Sequence, residues 1–311
     1  MKNKKLISIV TPVYNEEEGI KSYYTQITKQ IDKLSDKYDF EIIVTDNCST
    51  DDTYKILEEL AKNDKRLRIF KFSKNFGYQK SIWTGYSKAK GDVAIEFDCD
   101  LQDPPELLPQ FLEKWELGYK IVYGIRRSRK EGKFITFLRK LFYRIINKIS
   151  ENDLPVDAGD FILIDRKILD HLVEVDDCDM YLRGIIFSFG YSRIGIEYNR
   201  KQRLKGESKF PFKNLLQLAL DAVVSQSILP LRIASYLGLV IAFFTILLSL
   251  FYVMAKIFFN IYMPAGFTTI TVLILFSTSV NAIFLGIIGE YLARIYIQSK
   301  KRPITIIEKH N

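Results

Sequence analysis

Two uncharged stretches constrain this chain more than any other feature. Ile233–Ala255 and Phe267–Gly289 each run 23 residues without a charged side chain. At a rise of ~1.5 Å per residue, each would be roughly 34 Å long as a helix, enough to cross a ~30 Å hydrocarbon core with some tilt. Core helices of soluble proteins are seldom apolar all round over such a length. The link near Asn260–Gly266 has no charge and contains Pro264, which reads as a tight hairpin. Lys201, Arg203, Lys205, Lys209, Lys213 and Arg232 precede the first stretch, and Arg294, Lys300, Lys301, Arg302 and Lys309 follow the second. Cations cluster on the outer flanks and the Asn260–Gly266 link has none, which places both ends on the cytoplasmic side. Residues 231–299 are therefore expected as a transmembrane hairpin of a multi-pass plasma-membrane protein, with 300–311 as a cytoplasmic tail.

Residues upstream of 230 have a different pattern. Leu6–Val10, Glu41–Thr45, Leu67–Phe72 and Val93–Phe97 are short runs with β-branched residues. Helical stretches at Glu18–Leu34, Asp52–Asn63 and Tyr78–Ala89 separate them. Strands alternating with helices imply βαβ units, hence a mostly parallel, Rossmann-like α/β sheet over about residues 1–209. Ligands of such sheets bind beyond the carboxyl ends of the strands. The apolar run Leu6–Val10 is too short for a signal peptide and acidic residues follow it, so it reads as the first strand. Two stretches, Phe134–Ile149 and residues 210–230, suit amphipathic helices on a bilayer surface or packing against the soluble core.

Composition narrows the partners. The chain has 45 Lys+Arg against 37 Asp+Glu, a net +8. That is too modest for a nucleic-acid wrapper, and no nucleic-acid partner is expected. Three scattered cysteines form no CxxC pair, which argues against a zinc site or a disulfide framework.

The strand ends carry the chemistry. The first ends in Thr11-Pro12-Val13-Tyr14-Asn15-Glu16, where a ring and an amide suit a nucleotide, or simply form a loop. The second ends in Asp46, placed to accept from a ribose hydroxyl or a base N–H; Ser49 or Asp51 can cap the next helix. The fourth ends in Asp98-Cys99-Asp100-Leu101-Gln102-Asp103-Pro104-Pro105. Two carboxylates this close repel unless a cation is supplied. Mg²⁺ or Mn²⁺ takes oxygen ligands and also grips phosphate oxygens, so the pair predicts a metal–diphosphate clamp. Arg126, Arg127, Arg129 and Lys130 follow an apolar strand at Ile121–Val122. A second basic loop spans Arg203–Lys209. Both suit phosphate, or a solvated face. Asp157 and Asp160 precede another apolar run, Ile162–Ile164, and either could face a sugar or shape a turn.

Pro12–Glu16, Asp46–Asp51, Asn75-Phe76-Gly77, Asp98–Pro105, Asp157–Phe161 and Arg203–Lys209 together resemble the polyprenyl-phosphate glycosyltransferases of glycosyltransferase family 2. The likeness runs over about residues 6–210, and the two apolar stretches match the bactoprenol type. It implies a GT-A fold, an inverting transfer and a homo-oligomer, a tetramer in the family. It implies nucleotide-sugar contacts at Pro12, Tyr14, Glu16, Asp46 and Asp98. Metal would sit at Asp98 and Asp100 with Gln102 close by, and Asp157 resembles the family's essential aspartate. Asp157, Asp100 and Gln102 are thus the catalytic candidates. Arg126, Arg127, Arg203, Ser208 and Lys209 match positions that bind lipid phosphate. Asn47-Cys48 replaces the usual Asp-Gly, and Cys99 replaces a smaller residue.

The implied reaction joins a sugar from a UDP-sugar, glucose or N-acetylglucosamine, to undecaprenyl phosphate for cell-envelope glycan modification. A processive polysaccharide synthase would share the fold, but its Gln-x-x-Arg-Trp motif and additional spans are missing from this sequence. A non-catalytic membrane scaffold is the remaining alternative, opposed by the intact Asp98/Asp100 pair.

Overall fold

The computed structural model describes residues 4–126, 158–177, 180–199, scattered positions between 236 and 258, and 266–311. The expectations at Arg127, Asp157, Arg203, Ser208 and Lys209, and at both interfacial stretches, lie outside the described residues.

Near-continuous apolar runs form the central strands. β1 (Lys5–Val13) is buried from Ile7 onward and β2 (Tyr38–Asp46) is buried along almost its whole length. Burial on both faces is the mark of a parallel strand between helical layers. The polar residues within β1 are matched inside: Ser8 Oγ donates to Glu41 Oε1 at 2.6 Å, and Thr11 bonds the Tyr23 hydroxyl. β3 (Leu67–Phe72) and β4 (Val93–Glu96) follow. Helices α1 (Ile20–Leu34), α2 (Thr53–Asn63) and α3 (Tyr78–Lys88) connect them. α1 shows the periodicity that produces such packing: Ile20, Tyr23, Ile27 and Ile31 are its buried stripe.

After β4 come a 3₁₀ turn at Pro105–Leu107, α4 (Leu108–Glu116) and β5 (Ile121–Arg126). Then follow β6 (Ala158–Asp165), α5 (Arg166–Glu174), α6 (Leu182–Ser188) and β7 (Arg193–Tyr198). The sheet order is β7-β5-β6-β4-β1-β2-β3-β8. β1 is parallel to β2 and β4, β2 to β3, and β5 to β7; β6 runs antiparallel between β4 and β5. The strand and helix expectations for residues 6–97 agree with these elements to within a few residues.

The chain divides into two compact units, one carrying the sheet and the other a long helix. That helix, α7 (Phe267–Ser299), has 33 residues, roughly 50 Å. Its segment Phe276–Ser299 is the one candidate span, by length and composition, among the described residues. Large side chains such as Ile274, Phe276, Leu285 and Leu292 are exposed along it. α7 continues ten residues beyond Gly289, where the apolar stretch ended. The first stretch is described only at scattered positions, which are helical.

Residues 302–311, expected as part of a tail, belong instead to the sheet's unit. Their strand β8 (Ile307–His310) pairs antiparallel with β3. Pro303 cannot extend a helix, and Ile304-Thr305-Ile306-Ile307 is β-branched throughout, which favours an extended chain. The Ser73 N–H donates to the Ile306 carbonyl at 3.0 Å, and Thr305 and Thr84 hydroxyls meet at 2.8 Å.

α3 packs onto β1 through Gly85, where an added Cβ would run into the Val10 side chain. Gly85→Val should therefore destabilise the sheet's unit by about 1–3 kcal/mol, the usual penalty for overpacking. Thermal unfolding of the purified chain would show this, and an unchanged transition would refute the tight α3–β1 contact.

Candidate active site

In the sheet order, β1 lies between β4 and β2, so the chain's direction of winding reverses beside β1. Open α/β sheets bind ligands at such a switch point. A cleft of about 470 Å³ opens there, at the carboxyl ends of the strands. The end of β1 and the loop after it contribute Pro12, Val13, Tyr14 and Glu16, the β2 loop Asn47, and the β3 loop Asn75 and Gly77. Tyr78 and Ser81 of α3 and Asp98, Cys99 and Asp100 after β4 complete the lining.

Each of these loops turns through a left-handed backbone: Asn15 (φ 54°), Cys48 (φ 64°), Gly77 (φ 94°) and Leu101 (φ 57°). Only glycine adopts this region without strain, and three of the four are not glycine. Hydrogen bonds between loops hold them. Asn15 N–H donates to Ser49 Oγ at 2.9 Å, and Asn15 Oδ1 accepts from the Thr50 N–H at 2.8 Å. Glu16 N–H donates to Thr53 Oγ1 at 2.8 Å, and Glu17 N–H to Asp51 Oδ2 at 3.2 Å. The Asn15 oxygen, read from sequence as a nucleotide contact, is thus engaged in joining two loops. Ser49 does the same, while Asp51 Oδ1 accepts from the Thr53 N–H at 3.0 Å in the first turn of α2. Tyr14 keeps an exposed ring at the cleft.

Asp46 is buried and is not among the cleft-lining residues. Its Oδ1 accepts from the Ser49 N–H at 3.0 Å, while Oδ2 has no hydrogen-bond partner among the described residues. Burial raises its pKa, and the Ser49 hydrogen bonds only partly offset this. An unsatisfied buried acceptor is uncommon in native structures and suits a ligand N–H or O–H.

The β4 end concentrates negative charge. Phe97 is fully buried, and its N–H donates to the Val10 carbonyl at 2.9 Å, so the strand pairing reaches right up to Asp98. Asp98 and Asp100 are half-buried at the cleft, whereas the Cys99 thiol belongs to the core. Burial, and next the charges of Asp100 and Asp103, lift the Asp98 pKa to about 7, although the Tyr78 hydroxyl donates to its Oδ1 at 2.9 Å. Asp100 Oδ1 accepts from the Gln102 N–H at 3.0 Å, which folds the turn after the pair. Glu96 lies beneath, fully buried, with neither carboxyl oxygen hydrogen-bonded among the described residues. Its pKa is driven far up by burial first, then by Asp98, Asp160 and Asp103. Asp160 is thereby brought to the same group of carboxylates; its neighbour Asp157 lies outside the described residues.

Arg126, expected at the lipid phosphate, is largely buried against Gly159. Its Nε donates to the Tyr198 hydroxyl at 3.2 Å and its Nη2 stands 3.6 Å from Asp103 Oδ2, while Tyr198 donates to Asp103 Oδ1. Sequence reasoning misses Asp103, Tyr198, Tyr78 and Glu96 as site residues. Asp103 and Glu96 flank the Asp98/Asp100 pair closely enough for that proximity to have signalled them. Tyr78 and Tyr198 carry no local signal.

The residues present suit a divalent cation in one respect: the Asp98 and Asp100 carboxylates converge where charge is poorly tolerated. Among the described residues, no group of three or more His, Cys, Asp or Glu side chains forms a metal cage. A hard cation held by one or two carboxylates draws its other ligands from water and phosphate oxygens.

Comparison with known proteins fixes the family. The family model for glycosyl transferase family 2 matches residues 8–173, which span β1 to α5. The chain belongs to glycosyl transferase family 2. It is a glycosyltransferase with a GT-A catalytic unit. It is 37% identical over 306 residues to the uncharacterized glycosyltransferase YkcC of Bacillus subtilis, covering 97% of this chain and 93% of that protein. It is 34% identical over 304 residues to a prophage bactoprenol glucosyl transferase homolog of Escherichia coli, covering 97% and 98%. Among solved structures it is similar to glucosyl-3-phosphoglycerate synthase from Mycobacterium tuberculosis, determined with Mn²⁺, UDP and glucosyl-3-phosphoglycerate. That likeness has a TM-score of 0.46 and 20% identity, covering 71% of this chain and 78% of the other.

The raised Asp98 pKa has a sign that can be tested. A carboxyl group harder to ionise in the folded state destabilises that state as pH climbs from its ordinary value, 3.8, toward about 7. Without divalent cation, the wild-type protein should lose stability between pH 5 and pH 8, and Asp98→Asn should flatten that slope. Mn²⁺ should raise the unfolding temperature more at pH 8 than at pH 5. Thermal scans at the two pH values decide it, and equal slopes for wild type and variant would count against the assignment.

Proposed function

We propose that this glycosyltransferase moves a sugar from a nucleotide-diphosphate-sugar to a polyprenyl phosphate, undecaprenyl phosphate in a bacterial membrane, with inversion at the anomeric carbon. The observation that carries the reading is the Asp98/Asp100 pair, opening onto a cleft at the switch point of the sheet. Relatives named bactoprenol glucosyl transferase, similar over 97% of this chain, support a lipid-phosphate acceptor. UDP-glucose or UDP-N-acetylglucosamine is the favoured donor.

The acceptor chemistry agrees with the residues. A phosphate monoester has a second pKa near 6, so it is largely a dianion at pH 7 and needs no strong base. Its oxygen bonds to the anomeric carbon as the bond from that carbon to the diphosphate oxygen breaks. The electron pair leaves with the nucleoside diphosphate. Positioning and charge neutralisation then dominate the rate. Tyr14 offers a ring to the base, and Asp46, buried outside the cleft lining, would reach the nucleoside only through its unpartnered Oδ2. Pro12 and Glu16 line the cleft beside Tyr14. Asp98 and Asp100 would hold Mg²⁺ or Mn²⁺, whose contribution when bound is to offset the charge of the departing diphosphate. Gln102 stands on the turn fixed by Asp100. Asp157 would orient the acceptor or the sugar hydroxyls. Arg126, Arg127, Arg203, Ser208 and Lys209 would receive the lipid phosphate, with Arg126 steadied by Asp103 and Tyr198. We place the enzyme in the plasma membrane on two helical spans, its catalytic unit and both ends cytoplasmic, working as a homotetramer.

Membranes carrying the protein, given labelled UDP-glucose, should pass label into the lipid phase only when undecaprenyl phosphate is added. UDP-N-acetylglucosamine and GDP-mannose serve as further donors in parallel. Asp98→Ala should lower transfer by at least ~10²-fold, the order lost when one electrostatic contributor at an active site is removed. Undiminished transfer by that variant in the presence of chelator would defeat the proposal.

A further inference from the structure

Asn47 stands where the resemblance drawn from the sequence implies an aspartate, and the structure shows what an amide does there. Asn47 is buried, and both ends of its amide are used. Its Oδ1 accepts from the Phe76 N–H at 2.8 Å, and its Nδ2 donates to Asn75 Oδ1 at 3.0 Å. The Gly77 N–H reaches the same Asn75 oxygen at 2.9 Å. A backbone N–H can only donate, so these contacts fix which end of each amide carries the oxygen. Asn75 therefore has its oxygen committed to the loop. Its Nδ2 makes no hydrogen bond among the described residues, and Asn75 lines the cleft together with Tyr78 and Asp98.

We propose that Asn75 is a donor-binding residue whose Nδ2 hydrogen-bonds an acceptor oxygen of the nucleotide, and that Asn47 is the positioning residue that orients it. The proposal rests on the reading of this cleft as a nucleotide-sugar site. Oxygens of the base, ribose and diphosphate all accept a proton from an amide nitrogen. An aspartate at position 47 would still accept from Phe76 but could not donate to Asn75. The Asn75 amide would then turn its nitrogen inward to reach that carboxylate. Its oxygen would face the ligand, and the Gly77 N–H would lose its acceptor. One side chain at position 47 thus decides whether the cleft presents a donor or an acceptor at Asn75.

The test is a double-mutant cycle on the detergent-purified full chain, titrated calorimetrically with UDP and separately with GDP in Mg²⁺. Asn47→Asp and Asn75→Ala should each weaken binding about tenfold, the size of one net hydrogen bond. In the kinetic assay, KM for the nucleotide-sugar should rise more than kcat falls. The double variant should bind no worse than Asn75→Ala alone, because Asn47 acts through Asn75. Additive losses, or an Asn47→Asp protein that binds like the wild type, would overturn the inference while leaving the functional reading intact. Wild-type protein that binds neither UDP nor GDP would defeat the functional reading, and this inference with it.

Discussion

Negative charge packed into a poorly solvated corner sets the terms for the whole catalytic unit. Glu96, Asp98, Asp100, Asp103 and Asp160 gather around the end of β4, and burial is the leading reason that Glu96 and Asp98 resist ionisation. Such a corner is sustained only by rigid surroundings. Beneath it lies an aromatic floor: Phe97 and Phe111 sit 4.9 and 4.4 Å from Phe161, ring centre to ring centre, and Tyr198 stands 5.7 Å from the same ring. Burying each phenylalanine contributes about 1.5–3 kcal/mol. The floor also determines where charge is compensated, since Tyr198 reaches from it to both Asp103 and Arg126. An arginine that sequence assigned to a ligand is therefore also part of the support for the acidic loop.

The cleft belongs to no single loop. Strained turns after β1 and β2 are held by each other, so the wall facing the ligand is positioned by tertiary contacts. This is a common way to preorganise a site, with the strain offset by the packed sheet behind it. Tyr78 shows the same logic from α3, reaching Asp98 across the cleft floor.

Features that depend on local pattern are legible in the sequence. The runs that form β1 to β4 are apolar and β-branched, and the helices between them carry a clear stripe, as α1 does with Ile20, Tyr23, Ile27 and Ile31. The Asp98/Asp100 pair is legible because a buried strand must bring its next residues out at the sheet's edge. The hidden features depend on partners distant in sequence. Asn15 and Ser49 read as ligand or cap residues, but 34 positions apart they bond each other. Tyr78 carries nothing that announces Asp98. The last residues read as a charged tail because four strand residues beside lysines give a weak signal, and only the free edge of β3 gives them a place.

That last strand imposes an order on how the sheet can be completed. Asn311 anchors β8 through its side chain to the Ile69 N–H, a contact that spans 242 positions of the chain. Contacts of such separation form late, because a very long loop must close before they contribute. Until then β3 presents an unpaired edge, the kind of surface on which chains aggregate. The long apolar helix is made before the residues that cover this edge. Premature termination just after that helix would leave most of the cleft residues in place and the sheet unsealed, so such a product should be vulnerable in quality control rather than in chemistry.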